Sequence, residues 1–541
     1  MRCVLLITVL LIFAPAHAEA AAHAGKSASS PFPVLNHRYV LMGLGDSLTQ
    51  GTMDATDNGV NTLHAYLQKI YESLAKFEDV GFMQPLLSYS EKRLTPFSLP
   101  TNLGVDGSDI FSIEGMSYYK RQGAADSTLS RQYLCNGLVP WNLQDIYDNT
   151  LYPYNLFLAK PASQLDAAIW LLRQISRTGV SKALFVIWIG NNDSSSAALG
   201  FGTSNPVFVP LPLNLIADRL KPQVSALLDW AHGKGMVSFE PYTQASIERN
   251  LTELEDFSNQ YEHMLDRLDR EVDNLDETAE IFLCTLPYYS SVGYLFDSDD
   301  LEFYLRNLNP QYAVPPTFAR VAESGQAITD YTRGDRIGLL TFMCMYALLG
   351  SGADIDMVNN VLETDGKQND GLVLSEDEQR FIRARIDGFN SAIGQAAANR
   401  AGRVHLVDIA GWLNEILTGV QSFEVDGRRI TRKWIRGNCF TIDGVHPGYT
   451  GQAIIANYLV DYINKALGMQ APLHDISATM AIDPYIDHDG DGWAPGPDYK
   501  APQITQMLYL FKDPDDNDTS IVPQINNEIW FKLSDAILSL F

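Results

Sequence analysis

Apolar residues along the chain fall into short continuous runs, separated by longer stretches where they recur every three or four positions. The runs are Tyr39–Met42, Ala183–Ile189, Glu280–Leu286 and Val404–Ile409. Tyr39–Met42 and Ala183–Ile189 are apolar throughout and must be covered on both faces, so they read as strands buried inside a parallel sheet. Glu280–Leu286 and Val404–Ile409, with polar residues among the apolar ones, read as further strands of it. Asn102–Ser108 reads as the end of a further strand that enters a tight turn permitted by Gly104 and Gly107. Between the runs, Leu63–Phe77, Gln164–Ile175, Ile247–Leu275, Phe381–Ile393 and Gly451–Leu467 carry apolar positions at helical spacing. Ser375 and Glu376 supply a helix start ahead of Phe381. Strand and helix signals therefore alternate, which predicts an α/β fold of βαβ units around a mostly parallel sheet of five strands. No internal repeat occurs at solenoid periods.

Two stretches break the alternation. Residues 111–162 are polar and aromatic without clear period and read as an excursion decorating the sheet. Residues 287–371 form a second insertion, in which Ile337–Leu349 is apolar nearly all round. Such a helix is normally buried core; its functional alternative is a lid or the wall of an acyl-chain pocket.

Length allows one large domain with insertions or two smaller ones, since the chain has 541 residues. The amino end changes the picture more. Arg2 gives a positive start, Val4–Phe13 an apolar core, and Ala16-His17-Ala18 a small-residue cleavage site. That pattern predicts a signal peptide over 1–18 and export to the periplasm or beyond, followed by a flexible leader over 19–35. No other run approaches the ~20 apolar residues of a membrane span, so the mature chain is expected to carry no integral membrane segment. A net charge of −26 argues against nucleic acid or an anionic membrane surface as partner. Four cysteines outlast cleavage and allow three full pairings. Cys284 and Cys344 lie in apolar runs and read as buried thiols, whereas Cys135 and Cys439 lie among polar residues and read as the disulfide pair.

The chemistry gathers at the ends of the strands. Asp46-Ser47 follows the first run, where an open α/β sheet places its ligands. A serine hydroxyl needs an adjacent base to become a nucleophile, and an imidazole base needs a third group to set its tautomer. Asp443-Gly444-Val445-His446 offers both in one loop, with acid and base three residues apart. The tetrahedral intermediate needs donors for its oxyanion, and the Ser47 N–H, the Gly107 N–H and the Asn192 amide are candidates. Rival chemistries lack their residues: the chain has no G-x-S-x-G elbow and no H-E-x-x-H. Apolar surroundings raise a thiol pKa, which argues against Cys284 or Cys344 as nucleophile. His405 sits in a strand core and reads as structural.

GDSLTQG, NLGVDG, GNND and DGVH, in that order, resemble the four signature blocks of the GDSL/SGNH hydrolase family, over about Arg38–Leu467. The resemblance implies a flavodoxin-like three-layer α/β/α sandwich with a five-stranded parallel sheet, large insertions and a small carboxyl-terminal extension. It implies Ser47 as nucleophile, His446 as general base, Asp443 as its orienting acid, and Ser47, Gly107 and Asn192 as the oxyanion hole. The hydrolase domain would then occupy 36–470.

After residue 470 the composition shifts to Asp, Pro and Gly. Asp487, Asp489 and Asp491 stand at positions 1, 3 and 5 of a twelve-residue loop, with Gly492 at 6, Trp493 at 7 and Asp498 at 12. That spacing matches a calcium loop, with Asp in place of the usual bidentate Glu at the last position. Asp513, Asp515 and Asn517 form a less regular second candidate. Calcium here is expected to be structural, and no cofactor is expected for catalysis. The leading expectation is an exported serine esterase or lipase acting on small-molecule or lipid acyl esters through an acyl-enzyme. The alternatives are a carbohydrate acetyl esterase with the same machinery, or a non-catalytic, calcium-dependent surface-binding protein that keeps the fold. Oligomeric state is left open.

Overall fold

The structure is a computed structural model. It describes residues 32–122, 133–178, 181–199, 207–208, 237–238, 244–275, 279–315, 334–359, 362, 373–499 and 509–523. The expected signal peptide and most of the leader lie outside the described residues. Five parallel strands build the main sheet: β1 (Tyr39–Gly45), β2 (Val80–Gly81), β3 (Lys182–Trp188), β4 (Ala279–Cys284) and β8 (Val404–Val407). Their spatial order is β2-β1-β3-β4-β8. This is the doubly wound order in which the connections turn to opposite faces between β1 and β3.

Every residue of β1 is buried, as are all of β3 after Lys182, because helices cover both faces. On one face α2 (Tyr66–Leu74) packs against α9 (Tyr449–Leu467). On the other, α5 (Leu254–Leu275) lies between α3 (Gln164–Thr178) and α8 (Glu376–Ala398). α5 shows why the sequence folds this way. Phe257, Tyr261, Met264, Leu265, Leu268 and Val272 share one face and are buried, at roughly 1.5–3 kcal/mol of transfer free energy each. The other face carries its charges. α8 starts where expected: Ser375 accepts the Glu378 N–H while the Glu378 carboxylate accepts the Ser375 N–H. Among the described residues, no helix is long and apolar enough to cross a membrane.

Three sequence expectations need correction. The second strand is split: Val80–Gly81 pairs with Tyr39–Val40, the chain leaves the sheet, and Asn102 returns beside Gly43. There the Leu103 N–H donates to the Gly43 carbonyl at 2.8 Å, so the returning segment extends the edge along the carboxyl half of β1. The amphipathic stretch 247–275 is two helices, α4 (Gln244–Asn250) and α5, broken at Thr252. The expected Cys135–Cys439 disulfide is absent: both are free, buried thiols. Cys135 bridges to Ala162 inside the 111–162 excursion, while Cys439 packs under the first turn of α9 at Gly451. Polar neighbours in sequence had hidden that both are enclosed in space.

The second insertion builds its own antiparallel sheet from β5 (Leu295–Phe296), β6 (Arg336–Gly338) and β7 (Val373–Leu374). Beside it lie α6 (Ser298–Leu308) and the apolar helix α7 (Leu339–Gly350). Phe342 and Tyr346 of α7 are fully buried among Phe296, Tyr304, Trp434 and Trp493, so α7 is core rather than a lid.

Candidate active site

The carboxyl ends of β1 and β3 flank the point where the connections reverse, and Ser47 and Asn192 lie in the segments that follow them. β1 ends at Gly45, whose position has no room for a side chain: a Cβ would stand 2.2 Å from Thr49 Oγ1 and 2.4 Å from the Trp188 carbonyl. Asp46 then caps the one-turn helix α1 (Ser47–Gln50) by accepting the Leu48 N–H at 3.1 Å. Ser47 is the first residue of that turn and is 8% exposed. The other Asp46 oxygen accepts the Asn191 amide at 2.9 Å, joining the serine turn to the loop after β3. Burial raises Asp46 to about 7, against the pull of the bonds from Asn191 and Leu48.

Asp443 and His446 form a close pair, with Nδ1 of the ring 2.6 Å from Asp443 Oδ2. Five donors converge on this carboxylate. Oδ1 accepts Thr441 Oγ1 (2.8 Å), the Val445 N–H (2.8 Å) and the His446 N–H (2.9 Å). Oδ2 accepts the His446 ring and the Ala55 N–H (2.9 Å). Burial alone would raise Asp443, but the imidazolium beside it and these hydrogen bonds hold it below the usual carboxylate range. For His446 burial favours the neutral ring; the charge and hydrogen bond of Asp443, with Asp106 and Asp57 behind, reverse this and push it up to about 9.

The Ala55 bond makes one unit of two distant segments, because it joins the stretch following Ser47 to the acid of the carboxyl-terminal loop. Asp54 completes the seam: its N–H donates to Thr441 Oγ1 (3.3 Å) and its Oδ1 accepts the Ile442 N–H (2.9 Å). Asp54 and Ala55 both adopt positive φ, 53° and 51°, a conformation that costs a non-glycine residue free energy and persists where surroundings over-determine it.

Of the oxyanion-hole candidates, Gly107 sits at φ +73°, the left-handed turn that glycine permits. Its N–H bonds the carboxylate of Asp106. Asn192 donates through Nδ2 to the Ser108 carbonyl at 3.0 Å, so its amide stands over the Gly107 turn with one N–H hydrogen committed there. Asp193, given no direct chemistry from sequence, is buried and shapes the loop: it accepts the Ile110 N–H (2.9 Å) and Thr252 Oγ1 (2.7 Å). The break between α4 and α5 thus places Thr252 against this loop. His405 is structural in its setting, paired with Glu280 at 2.8 Å and stacked on Phe282.

Sequence reasoning missed Gln164. This buried first residue of α3 donates to the Gly45 carbonyl (2.9 Å) and Ser108 Oγ (3.0 Å) and accepts the Gly45 N–H (3.0 Å). It locks the serine turn to the glycine turn, and no spacing or motif marks it. Asp57 and Asp106, the acids whose charge reaches His446, were missed as well.

In the extension, Asp487, Asp489 and Asp491 bring carboxylate oxygens within 4.8 Å of one another, as the loop spacing predicts. Trp493 points its side chain into the aromatic core beside Trp434, while its N–H donates to Asp491 Oδ1 at 2.8 Å. Asp498 does not join the groups of clustered acids among the described residues; Asp513 and Asp516 do, together with Asp489.

No protein-family model matches the chain, and no curated protein is significantly similar to it.

Proposed function

We propose that this chain is a serine hydrolase of the GDSL/SGNH type that cleaves carboxylic esters through an acyl-enzyme. The observation that carries the reading is the shared carboxylate of Asp443, which holds the His446 ring and the Ala55 backbone, in the segment that follows the serine turn, on one oxygen. A base with its tautomer fixed at Nδ1 leaves Nε2 to take the serine proton. Ser47 Oγ attacks the ester carbonyl carbon, His446 takes its proton, and the charge develops at the Ser47 N–H and the second Asn192 N–H, with the Gly107 N–H joining them once it leaves Asp106. Collapse expels the alcohol, protonated by His446. Water, deprotonated by the same ring, then releases the acid and regenerates Ser47.

Two substrate classes fit this machinery. Sequence alone tilted toward lipid esters because of the apolar helix in the second insertion, and its burial as core withdraws that support. Asp46, Asp57 and Asp106 around His446 set the site among polar side chains, which favours a polar ester, such as an acylated sugar, as the first class to test. Export remains part of the proposal, on the amino-terminal pattern alone.

A panel of p-nitrophenyl esters of increasing chain length, beside acetylated sugars, tests the reading with wild type and Ser47→Ala. Turnover by wild type that vanishes in Ser47→Ala is expected, with short acyl chains preferred. Undiminished turnover in Ser47→Ala defeats the mechanism, and preference for long chains restores the lipid reading.

A further inference from the structure

The acidic cluster of the extension is built differently from the linear loop that its spacing suggests. Asp487 accepts the Gly490 N–H (2.6 Å) on Oδ1 and the Gly492 N–H (2.8 Å) on Oδ2, which folds the turn back on itself. Asp489 Oδ1 accepts the Asp491 N–H (3.0 Å) and Asp491 Oδ1 accepts the Trp493 N–H (2.8 Å). Twenty residues on, Asp513 Oδ1 accepts the Asp515 N–H (2.8 Å). In each of Asp489, Asp491 and Asp513 the backbone engages one oxygen, and the other, Oδ2, is buried with no hydrogen-bond partner. Asp491 and Asp513 are only 7% and 8% exposed.

Carboxylate oxygens of Asp487, Asp489 and Asp491 lie within 4.8 Å of one another, as do those of Asp489, Asp513 and Asp516, so Asp489 belongs to both groups. Asp516 is also paired with His488 at 2.6 Å. The nearby Arg428 spends its guanidinium on the backbone carbonyls of Asp487 and His488. A buried carboxylate oxygen without a donor is costly, and several facing one another add repulsion; a cation at their focus relieves both.

We propose that a calcium ion binds between residues 487–491 and 513–516, with Asp487, Asp489, Asp491, Asp513 and Asp516 as its carboxylate donors. An all-oxygen set of five carboxylates on two flexible turns suits calcium, which takes about 6–8 oxygens in adaptable geometry, better than magnesium, which keeps most of its waters. Asp498 has no part in this set. Its place as the closing ligand is taken by acids from the later turn.

The site therefore cross-links two segments of the extension. The Asp513 N–H already donates to the Ala494 carbonyl at 2.9 Å, and Phe511 stacks on Trp493. Two residues before Phe511, the Tyr509 hydroxyl donates to Asp54 Oδ2 at 2.8 Å, the carboxylate that holds Ile442 ahead of Asp443. The ion thus fastens the strap that ends on the catalytic seam.

The test uses the full chain stripped with chelator and titrated with calcium chloride by isothermal calorimetry, with melting curves in parallel. Saturable binding and a higher Tm with calcium are expected. Asp513→Asn and Asp491→Asn should each weaken binding on the order of 100-fold, while Asp498→Asn binds like wild type. In chelator Asp498→Asn should melt with chelated wild type and Asp491→Asn and Asp513→Asn at or above it, since each relieves repulsion in the empty cluster, which separates lost binding from misfolding. Absence of binding heat and of any Tm change overturns the site. Loss of binding in Asp498→Asn with retention in Asp513→Asn overturns its composition in favour of the linear loop. Neither readout depends on ester hydrolysis, so the two proposals fail separately.

Discussion

Asp443→Asn preserves volume while removing one charge and one acceptor, so it isolates what this carboxylate does. Five donors now share two oxygens: three on Oδ1, from Thr441, Val445 and the His446 backbone, and two on Oδ2, from Ala55 and the His446 ring. An asparagine has a single oxygen to offer. Placed toward the three donors, it turns its NH2 at the Ala55 N–H and at His446 Nδ1. The ring must then accept at Nδ1 and carry its proton on Nε2, the nitrogen that has to receive the proton of Ser47. The expected loss in kcat is about 10⁴-fold, or ~5.5 kcal/mol at about 1.4 kcal/mol per decade. The Ala55 N–H is left facing another donor, which costs about 1–3 kcal/mol of stability. Steady-state kinetics on a short p-nitrophenyl ester measure the first, and a calorimetric Tm the second. A variant within about tenfold of wild type, at unchanged Tm, would refute the claim that Asp443 sets the tautomer.

Four further outcomes follow from contacts in and around the site. His446 serves as base only when neutral and is pushed up to about 9, so kcat/KM should rise with pH and level off near there. Asp57→Asn and Asp106→Asn each remove a carboxylate that favours the imidazolium, so each should move that limb to lower pH; a limb that stays put or rises contradicts the assignment. Gln164→Ala removes three hydrogen bonds linking the serine and glycine turns, and should cut kcat by about 10- to 100-fold with little change in KM, checked by kinetics on the same ester. Tyr509→Phe removes one hydroxyl donor from Asp54 and should lower Tm by the equivalent of about 1 kcal/mol with a severalfold fall in kcat, whereas unchanged values would detach the extension from the site.

How much of this could be read from the chain depends on how local each signal is. β1 and β3 were recognisable because a strand covered on both faces must be apolar throughout, and β4 and β8 because short, mostly apolar runs stand between helical stretches. Ser375 and Glu376 announced the start of α8 because a helix start is a local signal, while the capping box with Glu378 emerged with the structure. The split of the second strand was hidden, since two residues at Val80–Gly81 carry too little pattern and the pairing of Asn102 with Gly43 is non-local. The break at Thr252 was hidden too: the apolar period runs on across it, and its cause is the distant Asp193. Ser47, Asp443 and His446 stood out because their chemistry demands particular residue types near strand ends. Gln164, Asp57 and Asp106 did not, because their roles consist in what they touch across the fold. The extension divides the same way: Asp487, Asp489 and Asp491 cluster as their spacing implies, while Asp513 and Asp516 join only through tertiary packing.

Trapping the intermediate tests the central claim most directly. Full-length protein mixed with p-nitrophenyl acetate, quenched in acid and mapped by peptide mass spectrometry should carry one acetyl group on the peptide holding Ser47, at the hydroxyl of that residue, and none in Ser47→Ala. Acetyl found on another side chain, or ester turned over with no label on Ser47 at any quench time, would contradict the account.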